Sequence, residues 1–185
     1  MKILGLSGSL RRDSHNTNLL RAAARTLPAG VELEIYDGLR GLPLYDPDRD
    51  VHPIPAAAAR LRGALAEADG ILIATPEYNG SIPAPLKNAL DWASRPFPDN
   101  ALRGKPVAVV GASTGLFGAV WAQAETRKVL GIIGADVIDH ELPVGQAHMA
   151  FADDGGLNDP DVHEALEQLV GVLSARSAAA VAQEV

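Results

Sequence analysis

The amino-acid sequence predicts an α/β protein in which a parallel β-sheet carries helices on both faces. Short apolar runs alternate along the chain with longer segments whose apolar residues recur at helical spacing. The runs 71–74 and 107–110 are continuously apolar and too short for helices, which is typical of parallel strands buried on both faces. A length of 185 residues suits one domain with a complete core, so we expect a single domain over 1–185.

The first half of the chain contains three predicted strands, each followed by a helix. The strands are 3–6, 31–36 and 71–74, and the second alternates apolar with polar residues, which favours a place at the sheet edge. The first helix begins near Ser14 or Asn16, both plausible N-caps, and ends at 28–30. A long loop, 37–53, precedes a helix over 54–68. The third helix begins near Pro83 and Pro85, because proline is tolerated in a first helical turn.

The second half contains two further strands and two further helices. A buried strand over 106–111 leads to a helix over 119–133, which Gly134 stops. The segment 135–142 contains a short fifth strand of polar character. A second long loop, 143–160, precedes a final helix from about Pro160 to Ala182. Loops as long as 37–53 and 143–160 are often functional or interfacial in a compact domain.

Composition excludes several classes of function. The formal net charge of −7 argues against a nucleic-acid or anionic-membrane surface. The absence of cysteine excludes disulfides, thiol catalysis and cysteine-ligated iron–sulfur clusters. Met1-Lys2 leads straight into a strand and no apolar run approaches the ~20 residues of a membrane span, so we expect a cytoplasmic protein without a signal peptide.

The loop after the first strand has the layout of an anion site. A Gly/Ser-rich segment runs into a helix N-terminus, where free backbone N–H groups and the helix dipole both favour a phosphate. Arg11 can form a bidentate pair with a phosphate. The hydroxyl groups that can donate to a phosphate belong to Ser9, Ser14 and Thr17. The loop lacks the lysine of a P-loop, and Gly5 and Gly8 do not supply the G-x-G-x-x-G spacing of a dinucleotide fingerprint.

Two other loops leave the carboxyl ends of predicted strands, where open α/β sheets bind their ligands. The loop 76–81 follows the central strand and precedes the third helix. The loop 112–118 consists mainly of small residues, which allow a backbone to lie flat against a ring system. Taken singly, each loop is also compatible with a connection that binds nothing, and the first with a capped helix. The agreement of three separated loops favours one shared crevice.

Two of these loops carry the residues of a known family. Gly8, Ser9, Arg11, Ser14 and Asn16 form the pattern Gly-Ser-x-Arg-x-x-Ser-x-Asn. The central unit has Pro76-Glu77-Tyr78-Asn79, Ser81, Pro83, Leu86-Lys87-Asn88 and Asp91-Trp92. Both patterns closely resemble the NADPH-dependent FMN reductase family, which includes flavodoxin-like quinone, chromate and azo-dye reductases. The resemblance implies a flavodoxin-like three-layer α/β/α fold with a five-stranded parallel sheet in the order 2-1-3-4-5.

The resemblance also implies a role for each loop in binding FMN. The phosphate would be held by Ser9, Arg11, Ser14, Asn16 and Thr17. The ribityl chain and ring would lie along Pro76, Glu77, Tyr78 and Asn79, largely through backbone groups. The other ring edge would be lined by Ser113, Thr114 and Gly115. Because hydride transfer is the chemistry of the flavin, we expect no catalytic side chain. The five histidines show no metal-ligand spacing, so we expect no metal.

The implied activity is that of an NAD(P)H oxidoreductase. FMN would take hydride from NADPH or NADH, and electrons would pass to quinones, free flavin or similar small acceptors by a ping-pong mechanism. The alternative is a flavodoxin-like electron carrier or a non-catalytic FMN-binding module; a dinucleotide-binding protein without flavin is a third reading. Electron carriers commonly sandwich the flavin between aromatic rings. Only 4% of the residues are aromatic, and Tyr78 alone lies squarely in a proposed flavin loop, which favours an open ring.

Oligomerisation is a further expectation. Phe117 and Trp121 lie beside a predicted binding loop and either pack in the core or form a subunit contact. The family's members are commonly dimers or tetramers, so we expect a homodimer or homotetramer. His148, in the second long loop, is expected at the solvent or an interface, although it could reach a flavin edge.

Overall fold

The computed structural model describes residues 1–183 and contains six strands and five α-helices within that range. The strands are β1 (Lys2–Ser7), β2 (Glu32–Tyr36), β3 (Gly70–Thr75), β4 (Pro106–Ala112), β5 (Asp136–Val137) and β6 (Pro143–Val144). The helices are α1 (His15–Arg25), α2 (Ala56–Glu67), α3 (Ala84–Ala93), α4 (Val120–Ile133) and α5 (Pro160–Gln183). Two short 3-10 helices, Gly38–Gly41 and Pro47–Arg49, lie in the first long loop. Among the helices of residues 1–183, none combines the length and apolar character that a bilayer-spanning segment requires.

The sheet is parallel throughout, with the strand order β2-β1-β3-β4-β5. This confirms the predicted order 2-1-3-4-5. The short strand predicted within 135–142 is β5, which pairs with β4 at Val107. The sequence did not predict β6, which lies in the predicted loop 143–160 and pairs with β4 at Ala112. Between β5 and β6, the Leu142 N–H donates to the side-chain Oε1 of the buried Gln123 at 3.2 Å. A helix side chain thus replaces a strand partner where the ladder is interrupted.

Alternating side chains of the central strands enter two separate apolar layers, one on each face of the sheet. Leu4, Ile71 and Val107 pack beneath α2, α3 and α4, whereas Leu72 and Ala108 pack beneath α1 and α5. All five side chains are fully buried. Burying one leucine or isoleucine side chain contributes roughly 1.5–3 kcal/mol. Burial of β3 and β4 on both faces therefore accounts for their uninterrupted apolar sequences.

The first long loop is attached to α3 by hydrogen bonds. The Pro43 carbonyl accepts from the Trp92 indole N–H and from the Asn88 amide, both at 2.9 Å. The Asn88 Oδ1 accepts from the Tyr45 N–H at 2.8 Å. Trp92 is the largest fully buried side chain of the described residues. Asn88 and Trp92, which belong to the family pattern, therefore serve in this chain to hold the loop against the domain.

Candidate functional site

The carboxyl ends of β1, β3 and β4 lie side by side, because Ser7 pairs with Ala74 and Thr75 pairs with Gly111. The three loops that leave these ends enclose one cavity of about 140 Å³. The residues that line it are Ser9, Arg11, Ser14, His15, Asn16, Pro76, Glu77, Tyr78, Ala112, Ser113 and Thr114. Nine of the twelve predicted cofactor-binding residues are thus brought together, whereas Thr17, Asn79 and Gly115 lie outside this lining.

One end of the cavity is formed by the start of α1. Ser14 is the N-cap, and its hydroxyl accepts a hydrogen bond from the Thr17 N–H at 3.2 Å. The N–H groups of His15 and Asn16 have no hydrogen-bond partner within residues 1–183. Ser9 Oγ accepts from the Arg11 N–H at 3.3 Å, which shapes the loop around the cavity. Two free donors, a helix N-terminus and a guanidinium together form a site suited to an anion.

Two residues of the predicted phosphate set make other contacts. The Asn16 side chain is 2% exposed. Its amide donates to the Ala112 carbonyl at 2.9 Å, and its carbonyl accepts from the Ala112 N–H at 3.0 Å. Thr17 donates to the Ser7 hydroxyl at 2.9 Å. Asn16 therefore joins the start of α1 to the end of β4, and phosphate contacts by Asn16 and Thr17 stay predictions.

The loop after β3 is a tight two-residue turn. Tyr78 and Ser81 exchange backbone hydrogen bonds of 3.2 and 3.3 Å. Asn79 and Gly80 between them have φ values of 54° and 73°. Positive φ at both central positions defines a type I′ turn, for which Asn-Gly is the preferred sequence. The turn holds Tyr78 at the cavity, where Tyr78 is 51% exposed, and Asn79 is not among the lining residues.

Two carboxylates attach this turn to α4. Glu77 Oε2 accepts from the N–H groups of Trp121 and Ala122, both at 3.1 Å. These N–H groups belong to the first turn of α4, where the positive end of the helix dipole also stabilises a negative charge. Glu125 Oε2 accepts from the Ser81 hydroxyl at 2.6 Å and from the Ile82 N–H at 3.3 Å. Those two hydrogen bonds, the hydroxyl first, lower the pKa of Glu125.

The loop after β4 is supported by its own backbone and by the segment after β6. Ser113 Oγ accepts from the Gly115 N–H at 3.0 Å. The Ser113 and Gly115 carbonyls accept from the N–H groups of Ala147 and Gln146 at 3.0 and 2.9 Å. At Gly118, with φ of 57°, a Cβ would lie 2.5 Å from the backbone of residues 143 and 144. Only glycine allows this close approach.

The cavity also contains two residues that sequence reasoning missed, His15 and Ala112. His15 is the first residue of α1, and its position next to the N-cap Ser14 is the signal that could have identified it. Ala112 reaches the cavity because it is the last residue of β4. The His15 ring stacks on Phe151, with ring planes 4° apart. Burial, Arg11 and His148, in that order, lower the pKa of His15. His148 is exposed and outside the lining, but close enough to act on His15.

A doubly wound parallel sheet with its cavity at the β1, β3 and β4 ends defines a flavodoxin-like α/β protein. Within this class, the chain belongs to the NADPH-dependent FMN reductase family, whose sequence model matches residues 1–149. It is 40% identical over 174 residues to an NAD(P)H-dependent FMN reductase of Pseudomonas aeruginosa, covering 94% of this chain and 93% of that protein.

Two further relatives agree with this membership. A 2-hydroxy-1,4-benzoquinone reductase of a Burkholderia species is 46% identical over 129 residues, which is 70% of this chain and 69% of that protein. The structure of a flavoenzyme NAD(P)H:(acceptor) oxidoreductase from Paracoccus denitrificans superposes with a TM-score of 0.83 at 33% identity. That superposition covers 95% of this chain and 96% of the other, so the fold similarity extends over α5 as well.

Proposed function

We propose that this protein is an NAD(P)H-dependent FMN oxidoreductase that reduces quinones, free flavin or similar small acceptors. The observation that carries the proposal is the convergence of three strand-end loops on one cavity with an anion site at one end. The names of the relatives, FMN reductase and quinone reductase, support the same activity. Membership of the family supports NADPH or NADH as the hydride donor.

The groups at the start of α1 fit the phosphate of FMN. The free N–H groups of His15 and Asn16, together with Arg11 and the Ser9 and Ser14 hydroxyls, would hold the phosphate. Backbone at 76–78 and 112–114 would lie along the rest of the cofactor. FMN, when bound, accepts hydride from the nicotinamide and passes electrons to the acceptor.

The side chains at the ring end act by position. The Glu77 carboxylate accepts two hydrogen bonds from α4, so Glu77 would hold the loop after β3 against α4 rather than exchange protons with a substrate. Glu125, on α4 itself, accepts from the Ser81 hydroxyl and so holds the end of the same turn. Both carboxylates connect the loop after β3 to α4. The position of α4 would therefore set where the Tyr78 backbone lies against the flavin ring.

One open crevice supports the ping-pong order. Tyr78 is the single aromatic residue among those lining the cavity, apart from the His15 imidazole, and half of its side chain is exposed. An uncovered ring would let the nicotinamide leave before the acceptor occupies the same face. An electron carrier would instead shield the ring with stacked aromatic side chains.

A homodimer or homotetramer belongs to the same proposal. Leu116, Phe117 and Trp121 are exposed by 72%, 61% and 53%. Phe117 and Trp121 contact each other edge to face at 5.3 Å and lie where Glu77 meets α4. An exposed apolar cluster of this kind is typical of a subunit contact. The cytoplasmic location stays a prediction of the sequence.

The deciding experiment is a spectrum followed by a reduction. Purified protein, loaded with FMN and freed of excess, should show flavin absorption near one equivalent per chain. Anaerobic NADPH or NADH should bleach it, and a quinone should restore the colour through many turnovers. Binding of a nicotinamide nucleotide without FMN uptake would contradict the proposal. Bound FMN that accepts electrons only from a protein would favour the electron-carrier alternative.

A further inference from the structure

His15 is the residue at the anion end of the cavity that the family pattern does not specify. It lies between Ser14 and Asn16 of that pattern, and it lines the cavity together with Arg11. As the first residue of α1, it stands at the positive end of the helix dipole. A phosphate that meets the free N–H groups of His15 and Asn16 would also be close to the imidazole.

The imidazole is supported from a distant part of the chain. Its ring is nearly parallel to that of Phe151, with centroids 6.2 Å apart. Phe151 itself is positioned by an antiparallel bridge to Leu157 and packs against the apolar layer beneath α1 and α5. A ring held on one side by Phe151 would keep a nitrogen available to a ligand in the cavity that His15 lines.

Charges around His15 disfavour a proton while the cavity is empty. Burial is the largest cause that lowers the pKa of His15. Arg11, in the loop before α1, and His148, in the segment after β6, lower it further. The helix dipole acts in the same direction. Among residues 1–183, Glu77 is the one carboxylate that lines the cavity, and its Oε2 accepts from two N–H groups of α4. The environment is therefore short of negative charge, which a phosphate dianion would supply.

We propose that His15 is a further phosphate-binding residue and that its imidazole gains a proton when the FMN phosphate enters the cavity. This inference rests on the proposed FMN binding. The sign follows from linkage: a group with a higher pKa in the loaded site makes binding tightest at low pH. Affinity then falls as pH rises from the empty-site pKa to the loaded-site pKa. Because free FMN phosphate protonates near a pKa of about 6, the effect is clearest above that pH.

The test compares the native protein with His15→Phe and His15→Gln. Phenylalanine keeps the stacking on Phe151 without a hydrogen-bonding nitrogen, and glutamine keeps a donor that cannot titrate. His163→Gln is the control, because His163 lines a separate cleft with Arg25 and Asp154. Fluorescence titrations measure FMN and riboflavin affinities between about pH 6.5 and 8.5, a range above the phosphate pKa. Calorimetry in buffers of different ionisation enthalpy counts protons taken up per FMN.

The native protein should lose affinity for FMN relative to riboflavin as the pH rises. Near pH 6.5, both His15 variants should bind FMN about tenfold more weakly, since a charge-assisted hydrogen bond is lost. The difference in FMN affinity between native protein and variants should become smaller towards pH 8.5. The native protein should take up more protons per FMN than either His15 variant, by at most about one. His163→Gln should match the native protein. Riboflavin affinity should be nearly unchanged in every variant.

Other outcomes overturn the inference. If His15→Phe binds FMN like the native protein with the same proton count, His15 serves only to pack against Phe151. Equal losses for FMN and riboflavin would mean that His15 supports the loop rather than the phosphate. A native protein that binds no FMN at all would remove the proposed function, and this inference with it; FMN binding without a histidine-dependent proton count removes this inference alone.

Discussion

Replacing Asn16 by alanine should separate the two roles that this residue has been assigned. The family pattern places Asn16 at the phosphate, whereas its side chain exchanges two hydrogen bonds with the Ala112 backbone at 2.9 and 3.0 Å. The side chain is 2% exposed, so water does not easily replace it. Asn16→Ala leaves one buried N–H and one buried carbonyl unsatisfied.

The magnitude follows from those two groups. An unsatisfied buried group costs about 1–3 kcal/mol, so the free energy of unfolding should fall by roughly 2–4 kcal/mol after partial relaxation. For a chain of this size, each kcal/mol lowers Tm by about 2–4 °C. We therefore expect the apoprotein of Asn16→Ala to melt roughly 4–16 °C lower, with a lower urea midpoint at unchanged m-value.

The control is Asn18→Ala, which removes an exposed hydrogen bond to Arg21 from the same helix. A surface change of this kind should alter stability by less than about 0.5 kcal/mol. If Asn16→Ala is as stable as Asn18→Ala without FMN but binds FMN weakly, the reasoning is refuted. Asn16 would then be a phosphate ligand, and its bonds to Ala112 would contribute nothing net.

Three further predictions concern the loops and the surface. Arg11→Ala should weaken FMN binding roughly ten- to a hundredfold, because a hydrogen bond to a charged group contributes roughly 1.5–3 kcal/mol. Riboflavin, titrated in parallel, should be affected far less, and Arg12→Ala serves as control; equal losses would contradict a phosphate contact. The pKa of Glu125 is lowered in the folded protein, so its carboxylate stabilises the fold fully above the usual pKa of 4.5. This stabilisation is lost as the pH falls through the lowered pKa, so Glu125→Gln should lower stability near neutral pH but not in acid. Urea melts across pH would refute this if the difference persisted in acid. Trp121→Glu should shift the mass in light scattering towards the monomer, and a monomeric native protein at micromolar concentration would contradict the oligomer.

Much of the architecture was determined by local patterns. The apolar runs at β3 and β4 predicted strands buried on both faces, and both are. Gly134, predicted to stop α4, is its C-cap with φ of 99°. The strand-end loops were located because strands, breakers and helix starts are set by residues within a few positions of one another. The same periodicity, joined to the family resemblance, gave the sheet order.

Contacts between distant segments were decided only by the tertiary structure. Asn16 meets Ala112 across 96 residues, and the Glu77 carboxylate reaches α4 across 44. The Gln123 side chain, on α4, accepts from the Leu142 N–H between β5 and β6, across 19 residues. A side-chain donor or acceptor carries no local sign of which backbone group it will meet, because that partner is set by how the layers pack. The sequence by itself determined where a ligand crevice would lie, while packing decided which of its polar side chains remain free to bind.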